Sequence, residues 1–265
     1  MVNSANGDQA LNLEMYQTLA NALGDTPETV ISTHLLRRGM CRAYVAGDPA
    51  SFLGAIIQAR HLPTEPLAFG SGPHVLWRLL RQVEGWDCVL VESECAPPLA
   101  KVAKQELGVN VRCLDDIYQV LSEPAATYHD AAVRELTRDD LNLLASAPPE
   151  LRDACWESPR ELLSEGFVAC AVVSGAIVAT ALTSARSARY AEVGVYTHQT
   201  FRRRGLATAA ASIVVRRVQN AGLTPVWSAG EHNAASLRVA QKLGFREVSR
   251  RTYVIPTRGQ DEHPT

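Results

Sequence analysis

The sequence predicts an α+β protein whose mixed, mostly antiparallel sheets are flanked by helices and arranged as two related units. Three observations carry that expectation. Strand-like and helix-like runs alternate along the chain. The order strand, strand, helix, strand, helix, strand occurs twice, which points to an ancient duplication. Between the two passages, "SEPAATYHD" (122–130) has the small, polar and proline residues of a linker. We therefore place a first domain at residues 1–125 and a second at 126–265.

In the first unit, "ALNLEMYQTLANALG" and "TPETVISTHLLRRG" read as lead-in helices, followed by strands at 41–47 and 52–60. "PTEPLAFGSG" is turn-rich, and 73–86 has helical spacing. A strand at "DCVLVES", a helix from "APPLAKVAKQELG" with a proline start and glycine stop, and a strand or mixed segment at "VNVRCLDDIYQVL" complete it. In the second unit, "AAVRELT" (131–137) is a strand, "TRDDLNLLASAPPEL" a capped helix and 158–166 a short helix. "FVACAVVSGAIVATALTSA" is two apolar strands turned at "SGA". Then come a strand at 189–198, a helix reaching Ala221, a strand at 225–229, a helix from Asn233 to Gly244, and the paired tail "FREVSRRTYVI".

With 46% hydrophobic and 20% charged residues the chain has material for a real core. A formal charge of −2 and 6% aromatic residues argue against a nucleic-acid partner. No apolar run reaches the ~18 residues of a membrane span, and the N-terminus has no basic-then-apolar signal pattern, so a cytoplasmic protein is expected. The six cysteines lack metal-ligand spacing and several lie in apolar runs, so reduced core thiols and no metal site are expected.

One stretch needs an explanation: "FRRRGLATAAASIVVRRV". The first turn of a helix is already electropositive, so Arg202, Arg203 and Arg204 are badly placed there unless an anion joins them. Gly205 permits close approach, Ala207 keeps the wall low, and the amides that follow are free to meet a phosphate. Neither a Walker loop nor a dinucleotide loop is present. The alternative is a solvated basic helix end.

The neighbours of this stretch decide between the two. "EVGVYTHQTFRRRGLATA", followed about two dozen residues later by "NAASLRVAQKLGF", resembles the GNAT superfamily of acyl-CoA-dependent N-acetyltransferases, in its bacterial two-domain form. Arg202, Gly205 and Ala207 match the family's R/Q-x-x-G-x-G/A loop; Asn233 and Leu243-Gly244-Phe245 match its later element. The resemblance covers roughly residues 130–256. It implies tandem GNAT-like domains, of which 126–265 is catalytic and 1–125, lacking both motifs, is degenerate. That first domain would shape the acceptor site or a homodimer interface.

The resemblance also implies a site. The strand ending at Thr197 should splay from the next, leaving backbone groups of Val195, Tyr196 and Thr197 for the pantetheine arm of acetyl-CoA. The segment Arg202, Arg203, Arg204, Gly205, Leu206, Ala207 and Thr208 should hold the pyrophosphate. Asn233 should reach the pantetheine with Ser236 one turn later, besides capping its helix. For proton removal from a primary amine on a small molecule, attacking directly in a ternary complex, Glu192 is the only acidic residue in "RYAEVGVYTH". Strict alternation places it on the face opposite Val195 and Thr197, unless a bulge in this strand resets the phase. The family's usual tyrosine acid is Ala240 here, leaving Tyr196, Tyr253 or water, with His198 and His232 flanking the site. A non-catalytic acyl-CoA-binding protein is the alternative.

Overall fold

The computed structural model describes residues 12–152 and 155–257. The first residues of the expected lead-in helix, 10–11, and the stretch before them lie outside the described residues. In the first half, α1 (Leu13–Leu23) and α2 (Val30–Arg38) precede β1 (Cys41–Ala46), β2 (Gly54–Ala59), β3 (Leu67–Phe69), α3 (Pro73–Leu80), β4 (Val89–Glu92), α4 (Ala96–Leu107) and β5 (Asn110–Val120). The segment 121–132 has neither helix nor strand. The second half contains β6 (Val133–Glu135), α5 (Leu141–Ala145), α6 (Pro149–Arg152), α7 (Pro159–Glu165), β7 (Val168–Val173), β8 (Ala176–Arg186), β9 (Tyr190–Thr197), α8 (Leu206–Asn220), β10 (Thr224–Gly230), α9 (Ala234–Leu243) and β11 (Arg246–Thr257).

Local chemistry sets most of these boundaries. Positive φ at Ser174 and Gly175 turns the β7–β8 hairpin where "SGA" predicts it. Ser158 caps α7 by accepting from the Glu161 amide, and left-handed Gly108 and Gly244 stop α4 and α9. Three expectations are corrected. The helix expected over 73–86 ends at Leu80, because the Gln82 and Val83 amides turn back onto the Leu79 and Leu80 carbonyls. Trp86 then folds edge-on against Trp77. β3 lies inside the stretch read as turns; three residues between Pro66 and Gly70 are too few to show a period. The single helix expected in "TRDDLNLLASAPPEL" starts as a 3-10 turn that leads into α5, and Pro148 separates α5 from α6.

The strands form one sheet in the order β1-β2-β3-β4-β11-β5-β10-β9-β8-β7-β6. Two pairs are parallel, β3 with β4 and β9 with β10, and among the described residues the others are antiparallel. The tandem sheets thus run into each other, and the reason is an exchange. β5 of the first half lies between β10 and β11, while β11 of the second half lies between β4 and β5. The chain position of the linker is therefore not an edge of the sheet.

Alternation along paired rows separates the two faces. Val254, Ile117 and Ala229 lie on the face that carries α3, α4, α8 and α9 and the aliphatic clusters beneath them. Arg251, Asp116, Tyr118, Ser228 and Glu192 lie on the other. That second face meets α2, which crosses from the first half onto β8 and β9. His34 of α2 donates from Nε2 to the Cys155 carbonyl and accepts the Arg186 amide at Nδ1, and Arg38 pairs with Glu161 and Glu165. All six cysteines are free thiols; four are buried as expected, but Cys88 is half-buried and Cys113 exposed at the outer end of β5.

Candidate active site

β9 and β10 pair only over Tyr190–Glu192 and Thr224–Val226, then part. The fork predicted from the sequence is present, and its inner edge can be assigned. The His198 amide bonds the Val178 carbonyl on β8, so alternation sends the Val193, Val195 and Thr197 amides the other way, into the fork. The Tyr196 backbone therefore faces β8, and its side chain is exposed.

At the open end of the fork, Gly205 opens α8 with φ +84° and nothing within 4 Å of where a Cβ would stand. Arg203 shares the left-handed conformation, φ +65°. No backbone carbonyl among the described residues accepts from the amides of Arg203 through Thr208, so the loop and first helical turn form a cradle of donors. The arginines are exposed but unequal. Arg202 donates to the Thr197 carbonyl, Arg204 to that of Thr200 while lying over Phe201, and only Arg203 extends without such a bond among the described residues. Leu206 and Thr208 have buried side chains.

At the closed end stands Glu192, 3% exposed, where the strands part. Its Oε1 accepts from both the amide and the hydroxyl of Ser228 on β10, each at 2.8 Å. Its Oε2 is buried with no partner among the described residues. Burial pushes the carboxyl up to about 7 against those two donors, and Asp116 adds to the rise. No bulge resets the phase of β9; the irregularity lies in β8, at Ser184, whose hydroxyl donates to the Glu192 carbonyl. β9 therefore keeps its alternation. Glu192 faces α2 and Cys155, while Val193 and Val195 pack toward α8.

The remaining expected residues are dispersed around this core. Asn233 caps α9 by accepting from the Ser236 amide, and the Ser236 hydroxyl accepts from the Trp227 indole. Ala240 is buried with Trp227 and Phe245, so no phenol occupies that place. His198 bonds Thr200, and His232 packs beneath Gly230. Tyr253 is half-buried on the Glu192 face, its phenol pushed upward by burial and by Asp116.

Sequence reasoning did not find Asp116, Ser228 and Arg251. Tyr118 pairs with Ser228, and Asp116 with Gly230, which brings a first-half strand against the fork. Arg251 closes the counterpart fork of the first half, where β3 and β4 pair only at Leu67 and Leu90. Its guanidinium donates to the Ala68 and Leu90 carbonyls and stacks on Phe69 at 4.2 Å. Glu92 lies beside it, its carboxyl raised by burial and held back by Arg251.

A family profile described as GNAT acetyltransferase matches residues 90–254, and the chain belongs to that family. The matched segment opens in β4 and so includes the exchanged β5. A GCN5-related N-acetyltransferase-like protein from Streptococcus suis is similar in structure, with a TM-score of 0.68 and 21% identity over 92% of this chain and 99% of that one. A GCN5-related N-acetyltransferase from Kribbella flavida gives 0.58 and 17%, over 88% and 95%. A tandem GNAT protein from the clavulanic acid biosynthesis pathway gives 0.54 and 17%, over 94% of each chain. No curated protein matches the chain in sequence. The protein is an acyltransferase of a family that generally uses acyl-CoA. Among the described residues no helix is long and apolar enough to cross a membrane.

Proposed function

We propose that this chain transfers an acetyl group from acetyl-CoA to a primary amine on a small molecule, by direct attack within a ternary complex. The observation that carries the reading is Glu192, held at the apex of the β9–β10 fork with one carboxylate oxygen unpartnered. In this reading residues 126–265 hold the cosubstrate, and residues 1–125 are a degenerate copy that completes the acceptor site. The donor cradle from Arg203 to Thr208 suits a pyrophosphate, and the open Val193, Val195 and Thr197 amides suit a pantetheine arm. Acetyl-CoA supplies a thioester carbonyl carbon open to attack and a thiolate able to leave.

The chain's own residues handle the rest. Glu192 takes the proton from the ammonium, directly or through one water, so that the nitrogen lone pair is free. A value near 7 keeps the carboxylate basic enough for this while leaving it largely ionised in mild alkali. An amide of the open β9 edge donates to the oxygen as charge develops. With Ala240 in place of a phenol, the departing thiolate, ordinarily of pKa ~8.5, leaves unprotonated or takes its proton from Tyr253 or water. The test is release of free thiol from acetyl-CoA across a panel of primary amines. Amine-dependent release with N-acetylated product supports the reading, and saturable acetyl-CoA binding with no transfer to any amine overturns it.

A further inference from the structure

We propose that Asp116, delivered by the exchanged strand β5, is a second acceptor-binding carboxylate opposite Glu192, so that the amine acetylated here carries another positive charge. This rests on the proposed N-acetyltransferase reading and deepens it.

The placement comes from register. Glu192 is bonded to Ser228 on β10, Ser228 is opposite Tyr118 on β5, and Asp116 follows two residues along on the same face. The carboxylates therefore lie on one face of the sheet although they come from different halves of the chain. Asp116 is 6% exposed, and no group among the described residues donates a hydrogen bond to it. A buried carboxylate normally has such donors. The Glu192 Oε2 and Arg251 Nη1 atoms on this face are likewise buried and unpartnered. Orphaned polar atoms from two strands, β9 and β11, on the face that carries Asp116 mark a place for a polar molecule, beyond a mere cluster of acids.

Charge selects the kind of molecule. Glu65 ahead of β3, Glu28 ahead of α2, and Glu192 on β9 join Asp116 in this neighbourhood, with Tyr118 and Tyr253 between them. The cation found there among the described residues is Arg251, whose Nη2 already donates to the Ala68 and Leu90 carbonyls while Nη1 is unpartnered. Such a surplus of carboxylates on a desolvated face favours a dication over a monocation. Burial also pushes Asp116 up to about 6, with Arg251 pulling down and Glu65 pushing up, as expected while no cation is bound.

The experiment compares linear alkyl diamines with monoamines of the same length, by calorimetry in the presence of CoA and by steady-state transfer, in the native protein and in Asp116→Asn. The native protein should favour the diamine by roughly 10- to 100-fold in both Kd and kcat/KM, the worth of one charged hydrogen bond. Asp116→Asn should erase that ratio through KM, with its melting temperature held or raised because a buried charge is gone. Equal use of the two amines by the native protein, or a preference that survives Asp116→Asn, overturns the proposal. So does a lowered melting temperature with uniform loss across all acceptors, which would make Asp116 purely structural. If Asp116-dependent diamine binding is found but no transfer occurs, the acetyltransferase reading fails alone. If transfer occurs without diamine preference, the second carboxylate fails alone.

Discussion

The molecule contains the same construction twice, and only one copy is open. β3-α3-β4-α4-β5 and β9-α8-β10-α9-β11 follow one order, each with a short parallel pair that forks and a last strand that joins the other half's part of the sheet. At the second fork Glu192 meets the Ser228 amide of β10, but the β9 amides from Val193 onward and the amides that open α8 after Gly205 have no backbone acceptor among the described residues. At the first, the next rung of the ladder would need a β4 amide for the Ala68 carbonyl; the Arg251 guanidinium supplies that donor instead. α3 also starts on Pro73, which has no amide hydrogen, and a Cβ at Gly70 would stand 2.7 Å from the Leu53 carbonyl oxygen. The lesson is that two forks of one construction differ in how much of their edge the protein itself satisfies.

The sharpest way to break this comparison is to count ligands. Calorimetry with acetyl-CoA should give a stoichiometry near one, and Gly205→Asp should abolish binding. An aspartate there sets a carboxylate where the anion belongs and fills space that is now open, at a φ of +84° that disfavours a side chain. Two equivalent sites, or native affinity in the variant, would show that the first fork also binds.

Glu192→Gln tests what the open fork is for. Turnover should fall by roughly 10²–10⁴ while acetyl-CoA affinity changes little, the usual worth of a positioned general base. In the native enzyme the rate at subsaturating amine should climb as pH rises through about 7, and the variant should lose that limb. Stability runs the opposite way. Because the folded value lies above the ordinary 4.5, the native state favours the protonated form. That contribution is full below pH 4.5 and is lost as pH rises through 7, on the order of 3 kcal/mol. The variant should therefore be the more stable protein at pH 8, read from denaturant midpoints. Native turnover at neutral pH in Glu192→Gln would reduce Glu192 to a strand residue.

The closed fork has its own test. Arg251→Met removes the bridge across β3 and β4, leaving two buried carbonyls and nearby carboxylates uncompensated. We expect a loss of about 3–5 kcal/mol in chemical denaturation. Stoichiometry for acetyl-CoA should nevertheless stay near one, since α3 still lacks the donor cradle. A second binding event in this variant would mean that Arg251 alone was the obstacle.

What the sequence disclosed follows from the range of each interaction. β9, α8, the Gly205 turn and the Asn233 cap are written in contiguous residues whose spacing and conformational needs can be read locally. The face of Glu192 was legible from alternation too, because β9 carries no bulge. Asp116 and Arg251 were illegible, since their meaning depends on pairing between β5 and β11, distant in the chain and joined only by the exchange. β3 was hidden for a related reason: its partners, rather than its own three residues, make it a strand. Ser228 reads as an ordinary strand residue until Glu192 is set opposite it.

The smallest expected effect separates two roles of Asn233 at the open fork. Its Oδ1 accepts from the Ser236 amide, so Asn233→Ala should cost about 1 kcal/mol of stability through the lost cap. Asn233→Ser restores a cap and should recover most of that. Neither change bears on affinity if the side chain only caps, because the Trp227–Ser236 bond still anchors α9 from within. If the amide also reaches the cosubstrate, both variants should weaken acetyl-CoA binding alike, by something like 5- to 10-fold, since serine restores the cap but not the reach. The two measurements divide cleanly: stability distinguishes alanine from serine, and affinity distinguishes asparagine from both. Native affinity in Asn233→Ser would leave the pantetheine contact to the β9 edge alone.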